Sequence, residues 1–180
     1  DETQGASSLG PEHVGVIVND NDPLSREIAA YYMERRGIPP GNLIHVQLTA
    51  GRSVMSPERF RLVMDRVRAE TPANVQVYAL AWSLPYRVGC MSITTAFATG
   101  FDEAWCAQGC KATRESPYYD SDSRQPFTDL GLRPAMMLAG DSRDEVRDLI
   151  ERGIAADGSR PTGTGYLLST TDRARNVRPA

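Results

Sequence analysis

The first apolar segment of the chain, Val14-Gly15-Val16-Ile17-Val18, is a continuous β-branched run without polar alternation, the pattern of a strand buried on both faces. It stops at Asn19-Asp20-Asn21-Asp22-Pro23. Asp22 can cap a helix that has Pro23 in its first turn, and Leu24, Ile28, Tyr31 and Tyr32 then share one helical stripe before Gly37 and Pro39-Pro40 end it. The unit repeats. Residues 43–48 predict a second strand, and Ser56-Pro57-Glu58 opens a helix with Phe60, Val63, Met64 and Val67 on one face. Residues 75–81, 135–139 and 166–169 predict a third, fourth and fifth strand. Between the last two, Ser142-Arg143-Asp144-Glu145 forms a capping box ahead of Val146, Leu149 and Ile150.

Strands alternating with amphipathic helices predict an α/β fold, a mainly parallel sheet with helices on both faces, in a Rossmann-like or caspase-like three-layer sandwich. The second strand is expected at or near one edge. Residues 1–12 have no apolar period and predict a loose arm; residues 13–180 predict one domain. The stretch 83–134 breaks the rhythm, shows no convincing long helix, and predicts a long insertion fastened by cysteine chemistry.

Composition narrows the partners. A net charge of -3 with interspersed acids and bases offers no basic field for a nucleic acid, and no apolar run is long enough to span a bilayer. Lys111 is the sole lysine among 20 basic residues, a bias that reflects coding composition and not an activity. The chain opens on Asp1 and not on Met, and removal of a signal peptide is one of several ways to produce such a terminus. The three cysteines are Cys90, Cys106 and Cys110. The close spacing of Cys106 and Cys110 around Gly109 favours a disulfide over a metal clip or two free thiols, and a disulfide points to an extracellular or periplasmic location.

In an open parallel sheet the ligand crevice lies outside the carboxyl ends of the strands. Those ends carry Asn19, Asp20 and Asp22, then Ser83, then Asp172 and Arg175, which are the candidate ligand-binding residues. Asp20, Asp22 and Asp172 could hold Ca²⁺ or Mg²⁺ if they converge; helix and turn capping is the competing role. Asp120 and Asp122 carry part of a calcium-loop pattern without its glycine and distal glutamate. No glycine-rich phosphate loop follows the first strand. His13 and His45 fall away from Ser83 and Cys90, so no nucleophile–base pair is expected within the chain.

Taken together, Val18–Pro23, Arg36–Pro40, Met91–Phe97, Arg133–Met137 and Leu168–Arg178 resemble a family of uncharacterised bacterial proteins with exported members. The resemblance runs from Val14 onward. It implies a fold, an exported location and a longer protein continuing past Ala180, and it brings no catalytic residue. A more distant resemblance, in the strand–helix order leading to Trp82-Ser83-Leu84-Pro85, is to the first subdomain of gingipain-type, caspase-like peptidases. That group carries a catalytic histidine after the third strand, where this sequence has none. The expectation is therefore an exported, noncatalytic binding or assembly module, partnered by the remaining C-terminal part of the same protein or by another chain. The alternative is one half of a hydrolase whose nucleophile lies elsewhere.

Overall fold

The computed structural model describes residues 9–106, 113–160 and 162–164. After a short 3-10 turn at Pro11–His13, strand β1 (Val14–Asn19) leads into helix α1 (Pro23–Arg36). The Asp22 carboxylate accepts from the Leu24 amide at its start, and Gly37 ends it at φ 63°, a left-handed conformation that glycine adopts without a Cβ penalty. Strand β2 (Leu43–Val46), the short β3 (Val54–Met55) and helix α2 (Pro57–Glu70) follow, the last capped by Ser56. Then come β4 (Val77–Leu80), β5 (Arg87–Val88), β6 (Met91–Ser92), α3 (Ile93–Thr99), α4 (Pro126–Leu130), β7 (Ala135–Met137) and α5 (Arg143–Ala155).

The main sheet has the order β2-β1-β4-β7, and all three ladders are parallel. This is the expected α/β fold with β2 at an edge. The chain steps from β1 to one side to make β2, then returns across β1 to β4 and on to β7. Connections of constant hand must then cross on opposite faces. Accordingly α1 and α5 pack on one face, over Val16, Val18, Ala79 and Ala81, whereas α2 and α3 pack on the other, over Ile17, Tyr78 and Leu80. In β1 these side chains alternate between the two cores, as the twofold period of a strand requires. Gly15 is the one gap in the run. A Cβ there would stand 3.0 Å from Val75 and 3.2 Å from Ile44 and Tyr78, so a larger residue would have to push these side chains aside.

The described parts of the stretch 83–134 hold more regular structure than the sequence suggests. Its first part folds back to form a second sheet, β3-β5-β6, with β3 drawn from outside the stretch. Helix α3 is buried, with Ile93, Ala96 and Phe97 at 0% exposure inside the α2-side core. Phe97 meets Phe60 and Trp82 edge to face, at centroid distances of 5.3 and 5.9 Å. This seven-residue helix leaves little mark in the sequence because it is short and its polar positions are threonines, which weaken a helical signal.

Cysteine pairing also departs from expectation. Cys106 is joined to Cys90, at a Cα separation of 5.5 Å, and not to Cys110, which lies outside the described residues. The β5–β6 turn presents Cys90 next to the chain emerging from α3. There Phe101 packs against Gly89, and the Asp102 amide approaches the Met91 sulfur at 3.4 Å. Sequence proximity favoured a local loop, whereas the hairpin supplies a partner sixteen residues away. The expected fifth strand at 166–169 lies outside the described residues.

Candidate functional site

The reversal of strand order places the switch point between β1 and β4. Chain segments that leave neighbouring strands in opposite directions open a crevice at such a point. A cleft of about 500 Å³ is found there. Asp22 and Leu24 come from the start of α1, Ala50 and Gly51 from the segment after β2, Trp82, Ser83 and Leu84 from the end of β4, and Gly140 and Asp141 from the end of β7. The volume lies within the roughly 300–1,000 Å³ typical of small-molecule sites.

Ser83 is held by a reciprocal pair of hydrogen bonds. Its hydroxyl donates to the Gly140 carbonyl at 2.8 Å and accepts from the Gly140 amide at 3.1 Å. The loops after β4 and β7 are thereby clamped together, and the hydroxyl's donor capacity is used. Trp82 is 1% exposed and donates its indole N–H to the Pro85 carbonyl at 3.1 Å, which folds the 82–85 segment over the cleft wall. At the end of β7 the Asp141 amide donates to Glu145 Oε2 at 2.8 Å, completing the α5 entry with the Ser142 cap.

The other rim residues take separate places. Asn19 is fully buried at the end of β1, where its side-chain oxygen accepts from the Leu48 amide at 2.9 Å and the Asn21 amide at 3.2 Å. Its own amide donates to Ser25 Oγ at 2.9 Å. These bonds join the strand end to the post-β2 segment and to α1. Asn19 Nδ2 has no hydrogen-bond partner among the described residues, an uncommon condition for a buried donor. Asp20 pairs with His45 Nδ1 at 2.8 Å, and its carbonyl accepts from Arg26. Asp22 serves as the α1 cap while also lining the cleft.

Of the predicted rim, Asp22 and Ser83 thus line one cleft, Asn19 braces the strand end beside it, and Asp20 is engaged by His45. Asp172 and Arg175 lie outside the described residues. Asp120 sits in a turn with φ 55°. Among the described residues no three His, Cys, Asp or Glu side chains gather closely enough to hold a metal ion. Asp141, at the end of the fourth apolar run, is expected at this rim from the sequence and lines the cleft, whereas Gly140 beside it is not singled out. The signal for Asp141 is its position after that run, the same argument that selected Ser83. Among the described residues no helix is long and apolar enough to cross a membrane.

Comparison of the chain with protein-family models, with curated proteins and with solved structures finds no match.

Proposed function

We propose that this chain is an exported binding or assembly module, and that its ligand site is the cleft at the carboxyl ends of β1, β4 and β7. One observation carries the reading: a cleft of about 500 Å³ at the switch point, with the apolar walls Leu24, Ile28 and Leu84 and the polar groups of Asp22, Ser83 and Asp141 on its surface. Few polar groups on an apolar wall are what orient a small ligand. The noncatalytic part of the reading rests on Ser83. Its hydroxyl proton is directed at the Gly140 carbonyl, whereas a nucleophilic serine hands that proton to a base. The two described histidines stand elsewhere, His13 before β1 and His45 against Asp20.

Export is supported by the Cys90–Cys106 bridge, since structural disulfides persist in oxidising compartments. Assembly is supported by the outer side of β7. This strand pairs on one side only among the described residues, and Met136 at its centre is 52% exposed. A partner strand or chain would cover both.

An NMR titration of the chain with phenol, a generic probe of apolar clefts, tests the site. Saturable shifts are expected at the amides of Ser83, Leu84, Gly140 and Asp141, and shifts scattered over the surface would remove the cleft from consideration. Treatment with a fluorophosphonate tests the noncatalytic part. Ser83 is expected to stay unlabelled, and stoichiometric labelling would establish a nucleophile and return the hydrolase alternative.

A further inference from the structure

A second cleft lies at the same edge of the sheet, on the α2 side. We propose that it takes a small carboxylate carried on an aliphatic body. The segment after β2 divides the two clefts: Ala50 and Gly51 face the first, while Leu48, Thr49 and Arg52 face the second. Leu84 and Pro85 divide in the same way. The second cleft measures about 210 Å³ and is completed by Val54, Met55 and Arg59. It falls below the roughly 300 Å³ lower bound of drug-sized sites, which limits the occupant to a small molecule or the end of a chain.

The charge on its walls has one sign. Arg52 and Arg59 are the ionisable side chains that line it, and neither joins an ion pair within the described residues. Arg59 Nη2 donates to the Gln47 carbonyl at 3.0 Å, which fixes the guanidinium at the cleft wall and leaves its other donors unassigned. Arg52 is exposed on the dividing segment. The amino end of α2 is nearby but already occupied. Ser56 accepts from the Arg59 amide, and the Glu58 carboxylate turns back onto its own amide and the Ser56 hydroxyl, which lower its pKa. The anion is therefore met by guanidinium groups, whose planar fork matches a carboxylate. Leu48, Val54, Met55 and Pro85 supply the apolar contact that a bare inorganic anion could not use.

This cleft is distinct from the one proposed above, so the two readings stand or fall separately. The test is an NMR titration of the chain with 4-methylpentanoate, alongside its neutral amide 4-methylpentanamide and inorganic phosphate. The carboxylate is expected to shift the amides of Leu48, Arg52 and Met55 saturably while leaving Ser83 and Gly140 in place. The neutral amide should bind at least about tenfold more weakly, and Arg52→Gln should cost the carboxylate about tenfold in affinity. Arg59→Lys, which keeps the charge but not the fork, should lose less than Arg59→Gln. Equal binding of acid and amide, unchanged affinity in Arg52→Gln, displacement by phosphate at equal concentration, or no localised shift would each overturn the proposal.

Discussion

The two faces of the main sheet are built differently. On the α1–α5 face the core is mainly aliphatic, with Val16, Val18, Ile28, Ala29, Ala79 and Ala81 and a single buried aromatic, Tyr32, and the two helices are also joined at their outer ends by polar contacts. Arg35 and the Tyr31 hydroxyl both reach Glu151 at 2.6 Å, and Arg36 pairs with Asp157. On the α2–α3 face the core holds four buried aromatics, Tyr78, Phe60, Phe97 and Trp82, with Phe97 edge to face against Phe60 and Trp82. A disulfide ties down the chain just beyond it. The first face is closed by α1 and α5, which follow the main-sheet strands β1 and β7. The second is completed by a helix and a small sheet from the stretch that broke the strand–helix rhythm. That irregular stretch supplies core, and it adds Ser83 and Leu84 to one carboxyl-edge cleft and Pro85 to the other.

The contrast can be broken most directly at Phe97. Replacing it with alanine removes an aromatic ring that touches two others, with an expected loss of about 3–5 kcal/mol in chemical denaturation. Ile28→Ala on the opposite face should cost less, about 2–4 kcal/mol, because small neighbours can close around the gap. A larger loss at Ile28 than at Phe97 would reverse the ranking of the two faces.

The disulfide gives the next effect. Replacing Cys90 and Cys106 together by serine should reduce stability by about 3 kcal/mol, the scale for a closed loop of this length. Peptide mapping without reductant should recover Cys90 linked to Cys106, and recovery of Cys106 linked to Cys110 would restore the pairing expected from spacing. Asn19 sits at the midline between the faces. Asn19→Ala withdraws the acceptor used by the Leu48 and Asn21 amides, with an expected cost of about 1–3 kcal/mol and reduced protection of the Leu48 amide in hydrogen exchange. Unchanged protection there would mean that the strand end does not depend on this bond.

The smallest effect belongs to the helix-to-helix contacts. Hydrogen bonds from Arg35 and then Tyr31 hold the Glu151 carboxyl down at about 2 from an ordinary value of 4.5. The lowered value means that its contribution is present in full above the ordinary value and is lost as the pH falls toward 2. The pair is solvent-exposed, so this loss is modest and weakens with salt. Glu151→Gln should flatten the acid limb of the stability profile, and a profile identical to that of the unaltered chain would show the contact to be inert.

How far the sequence could be read varies with the kind of signal. β1 and α1 were legible because a β-branched run, an Asp22 cap and a Gly37 stop all name the same element at the same place. The β-strand at Ala135–Met137 was legible as an apolar run, though only its ends are half-buried. Helix α3 was not, since seven residues hold too few turns to display a period. The strands β3, β5 and β6 are two residues each and have no pattern of their own. The rim was partly legible: Ser83, Asp22 and Asp141 follow from where strands end, while Gly140, and the meeting of Asp141 with Ser83 in one cleft, required the fourth strand to lie beside β4.

What the sequence by itself determined was therefore local and periodic: which segments become strands and helices, where caps stop them, and that the sheet must be parallel and covered. These follow from side-chain spacing and backbone preference within a few residues. Only the tertiary structure decided the partner of Cys106, the burial of α3 beneath Phe60 and Trp82, and the division of the carboxyl edge into one cleft with aspartates and another with arginines. Each depends on residues far apart in the chain being brought together by strand order, and contacts of that kind leave no periodic mark in any one segment.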